Sequence, residues 1–381
     1  MTLNIKIEEY TKHIQEQGLL RTRQLFESNT TDIVRFDSND YLSLTEDKRI
    51  AEAYQKGYQL YPCGSGASMV LSGYHANHRI LEHTFSKLLG VDDCLLFSSG
   101  YSANLAITAL LGRLGAHCFI DKSVHASIYD GLTLSQVNYS RYVHNDMNAL
   151  SSLLTSSLGD SVVITEGIFS MSGQKAPLST IHSLCKKNCI ELIVDEAHAF
   201  GVIGPQGKGA VPDNGLTQNE VPLRVITFGK TFASQGAIVA GHQDWINALL
   251  QAARSFIYST AISPALCYGL LKTLDIIIEA DCRRTKLKHL ISQFKELIKS
   301  SPLNWLDSDT PIQQLRLGCP HKALYYANAL KREGFHCSAI RSPTVSSTSS
   351  GLRIIINFKH STEQITQLFN KLHLIYEHSP R

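Results

Sequence analysis

Short apolar runs alternate with helix-like stretches through the first two thirds of the chain. The clearest runs cover residues 95–97, 162–165, 192–194 and 225–228. Each run is apolar along its whole length, which is typical of a strand covered on both faces of a sheet. Because helix-like stretches separate the runs, the pattern predicts βαβ units and an α/β fold with a mostly parallel sheet.

The pattern of apolar positions changes towards the C-terminus. Apolar residues recur every three or four positions from Leu287 to Ile298, which predicts an amphipathic helix. Residues 352–357 are expected to form a strand, and the sequence from Ser361 to Gln364 is that of a helix capping box. The helix that follows is expected to bury Ile365, Leu368, Phe369 and Leu372.

These patterns suggest how the chain is divided. A length of 381 residues is enough for two domains of ordinary size. We predict an N-terminal arm (1–45), a large domain (46–268) and a smaller C-terminal α+β domain (269–381).

Composition and charge exclude several classes of protein. With 43% hydrophobic and 18% charged residues, the chain is not expected to be disordered. The net charge is +3, from 36 basic and 33 acidic residues, which argues against nucleic acid as a partner. The first ten residues lack the apolar core of a signal peptide, and no apolar run is long enough to span a membrane. We therefore expect a soluble cytoplasmic protein.

The nine cysteines are an odd number spread through apolar segments, which favours reduced thiols over a disulfide framework. Cys185 and Cys189 are four residues apart, but the sequence has no second pair at zinc-binding spacing. We interpret both as core residues and predict no metal site.

Polar residues follow the predicted strands, at the edge of the sheet where α/β proteins bind ligands. The turn at residues 98–101 contains Gly100 before a helix-like run, so it is either a phosphate site or a plain strand–helix turn. Asp195 and His198 follow the strand predicted at residues 192–194. There the carboxylate could cap a helix or pair with a protonated ring nitrogen, and the motif by itself leaves both interpretations open.

Lys230 follows the last of these strands within Gly-Lys-Thr. A Walker A loop would need a glycine where Arg224 stands, so we reject nucleotide binding. A lysine at a strand end can instead form a Schiff base with pyridoxal 5'-phosphate (PLP). A phosphate site, a carboxylate and a lysine occur in order, each after its own strand. Together they predict a PLP enzyme.

Ten segments carry a resemblance to a known family: SNDYL (38–42), GSG (64–66), LSGYH (71–75), FSSGYSAN (97–104), DKSVHAS (121–127), TEGIFSM (165–171), VDEAH (194–198), TFGK (227–230), YST (258–260) and IRSPT (340–344). Over nearly its whole length the chain resembles the α-oxoamine synthases, PLP-dependent enzymes of fold type I. The last two segments favour members that condense L-alanine with a pimeloyl thioester, carried on coenzyme A or an acyl carrier protein. Members that use glycine and acetyl-CoA are the alternative, and a catalytically silent partner subunit is another.

The resemblance implies a role for each residue near the cofactor. Lys230 would hold PLP covalently, Asp195 would pair with the ring nitrogen, and His198 would bond the ring hydroxyl. His125 would stack on the ring beside the substrate. Backbone contacts to the phosphate and polar contacts to the cofactor would come from Gly100, Tyr101, Ser170 and Thr227.

The resemblance also implies substrate-binding residues. Arg353 would bind the carboxylate of the amino acid, and a buried arginine in an apolar strand fits that role. Arg21 and Thr344 stand where the family binds the acyl group, although Arg21 could equally be a solvated charge. Asn39 and Glu166 lie in motifs near the site.

Two further points concern assembly and specificity. Residues 258–260 would reach the active site of a second subunit, which predicts a homodimer. The family usually has Asp where Ser172 stands and Gly where Ser43 stands. These departures leave the preference for the acyl group open.

Overall fold

The structure is a computed structural model that describes residues 2–23, 25, 33–157 and 159–378. The chain forms two compact units. The larger unit contains residues 40–170 and 175–284, and the smaller unit contains the described residues of 1–39, 171–174 and 285–381. The division predicted at residues 45 and 268 remains a prediction; the compact units divide the chain at other positions.

The helices of the described residues are, in chain order, α1 (Leu3–Glu16), α2 (Lys48–Leu60), α3 (Ala76–Leu89), α4 (Gly100–Arg113), α5 (Ala126–Leu134), α6 (Met147–Thr155), α7 (Leu178–Lys187), α8 (Ala210–Asp213), α9 (Gln243–Ala252), α10 (Arg254–Ile257), α11 (Pro264–Ile278), α12 (Asp281–Lys299), α13 (Pro320–Arg332) and α14 (Thr362–His378). Two short 3₁₀ turns cover Pro205–Gly207 and Ser347–Ser349.

The strands are β1 (Val34–Arg35), β2 (Asp93–Phe97), β3 (His117–Asp121), β4 (Tyr139–Tyr142), β5 (Ser161–Glu166), β6 (Glu191–Asp195), β7 (Leu223–Thr227), β8 (Ala237–Gly241), β9 (Asn304–Trp305), β10 (Ile312–Arg316), β11 (Phe335–His336), β12 (Ser338–Ile340) and β13 (Gly351–Ile355). The runs predicted as strands at 95–97, 162–165 and 192–194 lie within β2, β5 and β6, and the run at 225–228 coincides with β7 except for Phe228.

The larger unit is built on a sheet of seven strands in the order β2-β8-β7-β6-β5-β3-β4, counted over the described residues. Neighbouring strands from β7 to β4 are parallel, and β8 is antiparallel to both β7 and β2. The apolar residues of β5, β6 and β7 are buried, as continuous apolar runs require in a covered sheet. The prediction of an α/β fold with a mostly parallel sheet is confirmed.

The sheet brings the predicted chemistry to one edge. The strands β2, β5, β6 and β7 all run in the same direction, so their carboxyl ends meet there. In the parallel pair β5 and β6, Glu166 is in register with Asp195. The two carboxylates are therefore neighbours on the same face of the sheet.

The smaller unit contains a four-stranded antiparallel sheet in the order β12-β13-β10-β9. The predicted capping box is present at the start of α14: Gln364 N donates to Ser361 Oγ at 3.1 Å, and Ser361 N donates to Gln364 Oε1 at 3.0 Å. The four residues predicted to be buried in this helix are buried. In α12, Leu287 and Phe294 are buried, whereas Ile298 is half-buried.

One prediction about the cysteines was wrong. Cys185 is buried on α7, but Cys189 is exposed. The reason is local: α7 ends before Cys189, which adopts a positive φ of 53° and points away from the core. All nine cysteines are free thiols. No cluster of three potential metal ligands occurs in the described part of the chain.

None of the helices within the described residues is long and apolar enough to cross a membrane.

Candidate active site

Lys230 lies in a tight turn between β7 and β8. The turn is closed by backbone hydrogen bonds from Phe228 N to Gly236 O at 2.9 Å and from Ala233 N to Lys230 O at 2.8 Å. Phe228 and Phe232 are fully buried on either side of Lys230. The two aromatic side chains anchor the turn and leave the half-buried lysine at the carboxyl edge of the sheet.

The amine of Lys230 begins a chain of polar contacts. Lys230 Nζ lies 2.8 Å from His198 Nε2. The other ring nitrogen, His198 Nδ1, lies 2.6 Å from the hydroxyl of Tyr41. His198 and Tyr41 are both buried. The imidazole is therefore held on both sides, with one nitrogen directed at the lysine.

Asp195 is a buried carboxylate at the end of β6. Its Oδ1 accepts a hydrogen bond from the N–H of Ala197 at 2.9 Å, and its Oδ2 accepts one from Asn104 Nδ2 at 2.9 Å. Asn104 Nδ2 also donates to Ser127 Oγ at 2.9 Å. These neutral partners orient the carboxylate without neutralising its charge.

His125 caps the N-terminus of α5, because its Nδ1 accepts a hydrogen bond from Ser127 N at 3.2 Å. The same Nδ1 lies 2.8 Å from Ser127 Oγ. Burial lowers the pKa of His125, and the positive charge of Lys230 acts in the same direction against the opposing charge of Asp195. His125 is therefore expected to be neutral at pH 7.

Glu166 is a buried acid at this edge of the sheet. Its Oε2 accepts a hydrogen bond from Ser170 N at 3.1 Å, while its Oε1 is buried and has no hydrogen-bond partner among the described residues. Burial raises the pKa of Glu166 well above its ordinary value, and the negative charge of Asp195 adds to this. Burial and the neighbouring carboxylate therefore both favour the protonated form of Glu166.

The turn after β2 has the geometry of an anion site. Ser99 caps α4 by accepting from Ser102 N at 3.1 Å, so the helix presents the N–H groups of Gly100 and Tyr101 at its start. A β-carbon at Gly100 would come within 2.4 Å of Thr227 Cγ2. Nearby, Thr227 Oγ1 is buried and lacks a hydrogen-bond partner among the described residues.

These groups fit PLP. The cofactor needs an amine for its aldehyde, a carboxylate for its ring nitrogen, a donor for its ring oxygen and N–H groups for its phosphate. Lys230, Asp195, His198 and the start of α4 could supply these functions, and they lie at one edge of one sheet. The orphaned hydroxyl of Thr227 is the kind of buried polar atom that a ligand would satisfy.

Two residues with predicted roles have other contacts in the larger unit. The Tyr101 hydroxyl donates to Asp130, and its ring stands edge-on to His125 with centroids 6.4 Å apart. Ser170 is buried and contacts Glu166 through its backbone N–H. The role predicted for the Ser170 side chain remains a prediction.

Apart from His125, which lies in the larger unit, the residues predicted to bind substrate form two pairs in the smaller unit. Arg353 is buried in β13, and its Nη2 donates to Asn39 Oδ1 at 3.0 Å. Arg21 Nη2 lies 3.4 Å from Thr344 Oγ1. Each pair joins residues more than 300 positions apart in the sequence. Their roles towards substrate remain predictions.

Sequence reasoning gave no role to Tyr41, Asn104 or Ser127, although all three lie in the segments that carry the resemblance. A local signal existed for two of them. Asn104 falls one helical turn after Gly100, and Ser127 comes two residues after His125 at a helix start. Nothing in the sequence indicates that Tyr41 would contact a histidine 157 positions away.

Comparison with known proteins identifies the family. Residues 31–372 match the family model for class I and II aminotransferases. The chain is 39% identical to the 8-amino-7-oxononanoate synthase of Pseudomonas syringae pv. syringae (strain B728a) over 345 residues, which is 90% of this chain and 87% of that protein. The chain belongs to the 8-amino-7-oxononanoate synthase family.

Solved structures agree with this membership. The crystal structure of 8-amino-7-oxononanoate synthase from Francisella tularensis has a TM-score of 0.80 and 31% identity, covering 91% of this chain and 99% of that one. Serine palmitoyltransferase from S. paucimobilis, solved with a PLP–myriocin aldimine, has a TM-score of 0.91 over 99% of both chains. At 23% identity the latter likeness concerns the fold. The predictions of fold type I, of a PLP-dependent family and of an acyltransferase are confirmed.

Proposed function

We propose that this protein catalyses the PLP-dependent condensation of L-alanine with a pimeloyl thioester, giving 8-amino-7-oxononanoate, carbon dioxide and free thiol in biotin biosynthesis. The observation that carries the proposal is 39% identity over 90% of the chain to an 8-amino-7-oxononanoate synthase. The amine, imidazole and carboxylate at the edge of the sheet support it.

The cofactor would be held by residues of the larger unit. We assign Lys230 to the aldehyde, Asp195 to the ring nitrogen and His198 to the ring hydroxyl. His125 is assigned to the ring face. The phosphate and remaining polar contacts are assigned to Gly100, Tyr101, Thr227 and Ser170. When bound, PLP supplies an electron sink for the bonding electrons of the α-carbon of the amino acid.

The chain's own residues perform the proton transfers. We assign the Lys230 amine as the base that removes the α-proton of alanine, which requires its neutral form. The carboxylate of Asp195 would lie beside the ring nitrogen, where an adjacent carboxylate favours the protonated form of that nitrogen. The neutral imidazole of His125 can accept or donate a hydrogen bond to the substrate without adding a charge.

Substrate recognition is assigned to residues of the smaller unit and to His125. We propose that Arg353, oriented by Asn39, binds the carboxylate of alanine, because a guanidinium binds a carboxylate through two parallel hydrogen bonds. We propose that Arg21 and Thr344 bind the acyl substrate. The proposal covers both carriers of the thioester, coenzyme A and an acyl carrier protein.

We further propose that the protein acts as a homodimer. Tyr258 is 72% exposed and belongs to the segment that the resemblance places at the active site of a second subunit. A molar mass measured by light scattering tests this proposal. The cytoplasmic location also remains a prediction.

The function is tested by a substrate panel with product identification. The purified protein, loaded with PLP, is incubated with alanine or glycine and with pimeloyl-CoA or acetyl-CoA, and the amino ketone is identified by mass. We expect turnover of alanine with the pimeloyl thioester, and none by Lys230→Ala. Turnover restricted to glycine with acetyl-CoA would instead establish a 2-amino-3-ketobutyrate ligase. A catalytically silent subunit would not bind PLP covalently, and it is disfavoured by the presence of Lys230.

A further inference from the structure

Tyr41 is a buried residue that no assigned role explains. It follows Asp40, whose carboxylate accepts hydrogen bonds from Leu44 N and Thr45 N, both at 2.8 Å. Ser43 N donates to Asp40 O at 3.0 Å, so hydrogen bonds within residues 40–45 hold the short segment that carries Tyr41. The phenol ring is fully buried, and its hydroxyl is therefore held at a defined position.

That position is against the imidazole of His198. The Tyr41 hydroxyl lies 2.6 Å from His198 Nδ1, and the opposite nitrogen, Nε2, lies 2.8 Å from Lys230 Nζ. A neutral imidazole has one N–H donor and one acceptor nitrogen, and a partner at one nitrogen determines what the other can do. Tyr41 is thus placed to determine which ring nitrogen of His198 carries the proton.

The chemistry assigned to the site requires the proton on Nε2. The ring oxygen of PLP is an acceptor, so the nitrogen directed at it must be a donor. In the protein without cofactor, an Nε2–H directed at Lys230 Nζ also needs the lone pair of a neutral amine. A neutral amine is the form that reacts with an aldehyde. Both demands are met if the Tyr41 hydroxyl donates to Nδ1.

We propose that Tyr41 is a positioning residue that holds His198 as its Nε2–H tautomer, so that the imidazole donates towards the cofactor and towards the neutral amine of Lys230. The proposal deepens the proposed function and rests on PLP being bound at Lys230. In this assignment Tyr41 acts through His198.

The first test uses the protein without cofactor and needs no activity. Histidine labelled with ¹⁵N is incorporated, and the signals of His198 are assigned by their loss in His198→Asn. We expect Nδ1 to show the ¹⁵N chemical shift of an unprotonated ring nitrogen and Nε2 to show that of a nitrogen that carries a proton. A proton on Nδ1 would overturn the proposal. This measurement on the wild-type protein does not depend on whether Tyr41→Phe folds.

The second test removes the hydroxyl with Tyr41→Phe. We expect the His198 tautomer to change, the rate of covalent PLP loading to fall, and kcat to fall about tenfold with KM for alanine unchanged, as for loss of one buried hydrogen bond. Tyr142→Phe is the matched control, because Tyr142 is a buried tyrosine at the end of β4, four strands from β7. Equal effects of the two variants, or a Tyr41→Phe protein with wild-type tautomer and loading rate, would contradict the proposal.

The two proposals can fail separately. If the wild-type protein gives no amino ketone in the substrate panel, the proposed function is wrong whatever the tautomer of His198. If the amino ketone forms but Nδ1 of His198 carries the proton, the role of Tyr41 is wrong and the function stands.

Discussion

The methyl group of Thr227 occupies the place that a side chain on Gly100 would need. A β-carbon at Gly100 would lie 2.4 Å from Thr227 Cγ2, well inside van der Waals contact. The glycine therefore lets the start of α4 approach the end of β7 closely, and this approach sets the position of the proposed phosphate site.

We predict that Gly100→Ala weakens PLP binding roughly 10- to 100-fold, since overpacking of this kind costs about 1–3 kcal/mol. Titration of the cofactor-free protein with PLP measures the change. Gly100 does not have a positive φ, so alanine should introduce a clash and no backbone strain.

A second variant isolates the cause. Thr227→Ser removes Cγ2 and keeps the hydroxyl, so it should bind PLP nearly as well as the wild type. In the double variant it should restore most of the affinity that Gly100→Ala loses. If the double variant binds no better than Gly100→Ala, the contact between these two residues is not what requires the glycine.

Asn104 orients Asp195, and its replacement should weaken PLP binding. Asn104→Ala removes a hydrogen bond to a charged group, which is worth about 1.5–3 kcal/mol and predicts a loss of affinity of roughly tenfold or more. Asn104→Asp should be worse, because it places a second carboxylate against Asp195. Ser127→Ala removes the other partner of the amide and should have a smaller effect. The same titration compares the three, and equal affinities would refute an orienting role.

Glu82 should make stability depend on pH. It is buried on α3, where its Oε1 accepts from Leu96 N at 3.1 Å and its Oε2 accepts from Tyr74 at 2.5 Å. Burial raises the pKa of Glu82 from 4.5 to about 7. The folded state therefore binds more protons than the unfolded state between these values, and the free energy of unfolding should fall as the pH rises through them.

The variant Glu82→Gln should remove this dependence. The rise in the pKa of Glu82 corresponds to a change of about 3 kcal/mol in the free energy of unfolding across this pH range. Urea unfolding between about pH 4.5 and about pH 7.5 measures it. The exposed Glu52 provides a control, because Glu52→Gln should keep the wild-type slope. A slope that survives in Glu82→Gln would show that other groups cause the dependence.

Cys189 occupies a position where a glycine would make the protein more stable. It follows α7 with φ 53°, its N–H donates to Lys186 O, and Ile190 N donates to Cys185 O, which is the hydrogen-bond pattern of a Schellman motif. We predict that Cys189→Gly raises the free energy of unfolding by about 1 kcal/mol, since the left-handed conformation costs an L-residue roughly that amount.

The neighbouring cysteine gives the opposite expectation. Cys185 is buried on the same helix, so Cys185→Ala should lower stability by about 1 kcal/mol through lost burial. Urea unfolding of the cofactor-free protein measures both changes. If Cys189→Gly is no more stable than the wild type, the strain at this helix end is negligible.

The sequence predicted the parts of the fold that depend on local pattern. Continuous apolar runs identified β2, β5, β6 and β7, and parallel strands must bring their carboxyl ends to one edge, so Lys230 and Asp195 could be placed there in advance. The capping box before α14 could also be recognised from the sequence, because its two residues are three positions apart.

Contacts between distant residues were beyond such reasoning. Tyr41 and His198 are 157 positions apart, and no periodicity links them. Cys189 was misjudged because its exposure depends on where α7 ends, and helix ends are the least predictable feature of a sequence. The burial of Glu82 was only weakly indicated by the sequence, because Glu82 falls one turn before the buried Phe85 on an amphipathic helix.

The central claim is that Lys230 binds PLP covalently, and reductive trapping tests it most directly. The protein is incubated with PLP, reduced with borohydride and digested, and the peptide that carries the pyridoxyl group is identified by mass spectrometry. We predict one modified peptide, with the group on Lys230, and no such peptide from Lys230→Ala. Stoichiometric labelling of a different lysine, or no labelling of the wild-type protein, would contradict the account.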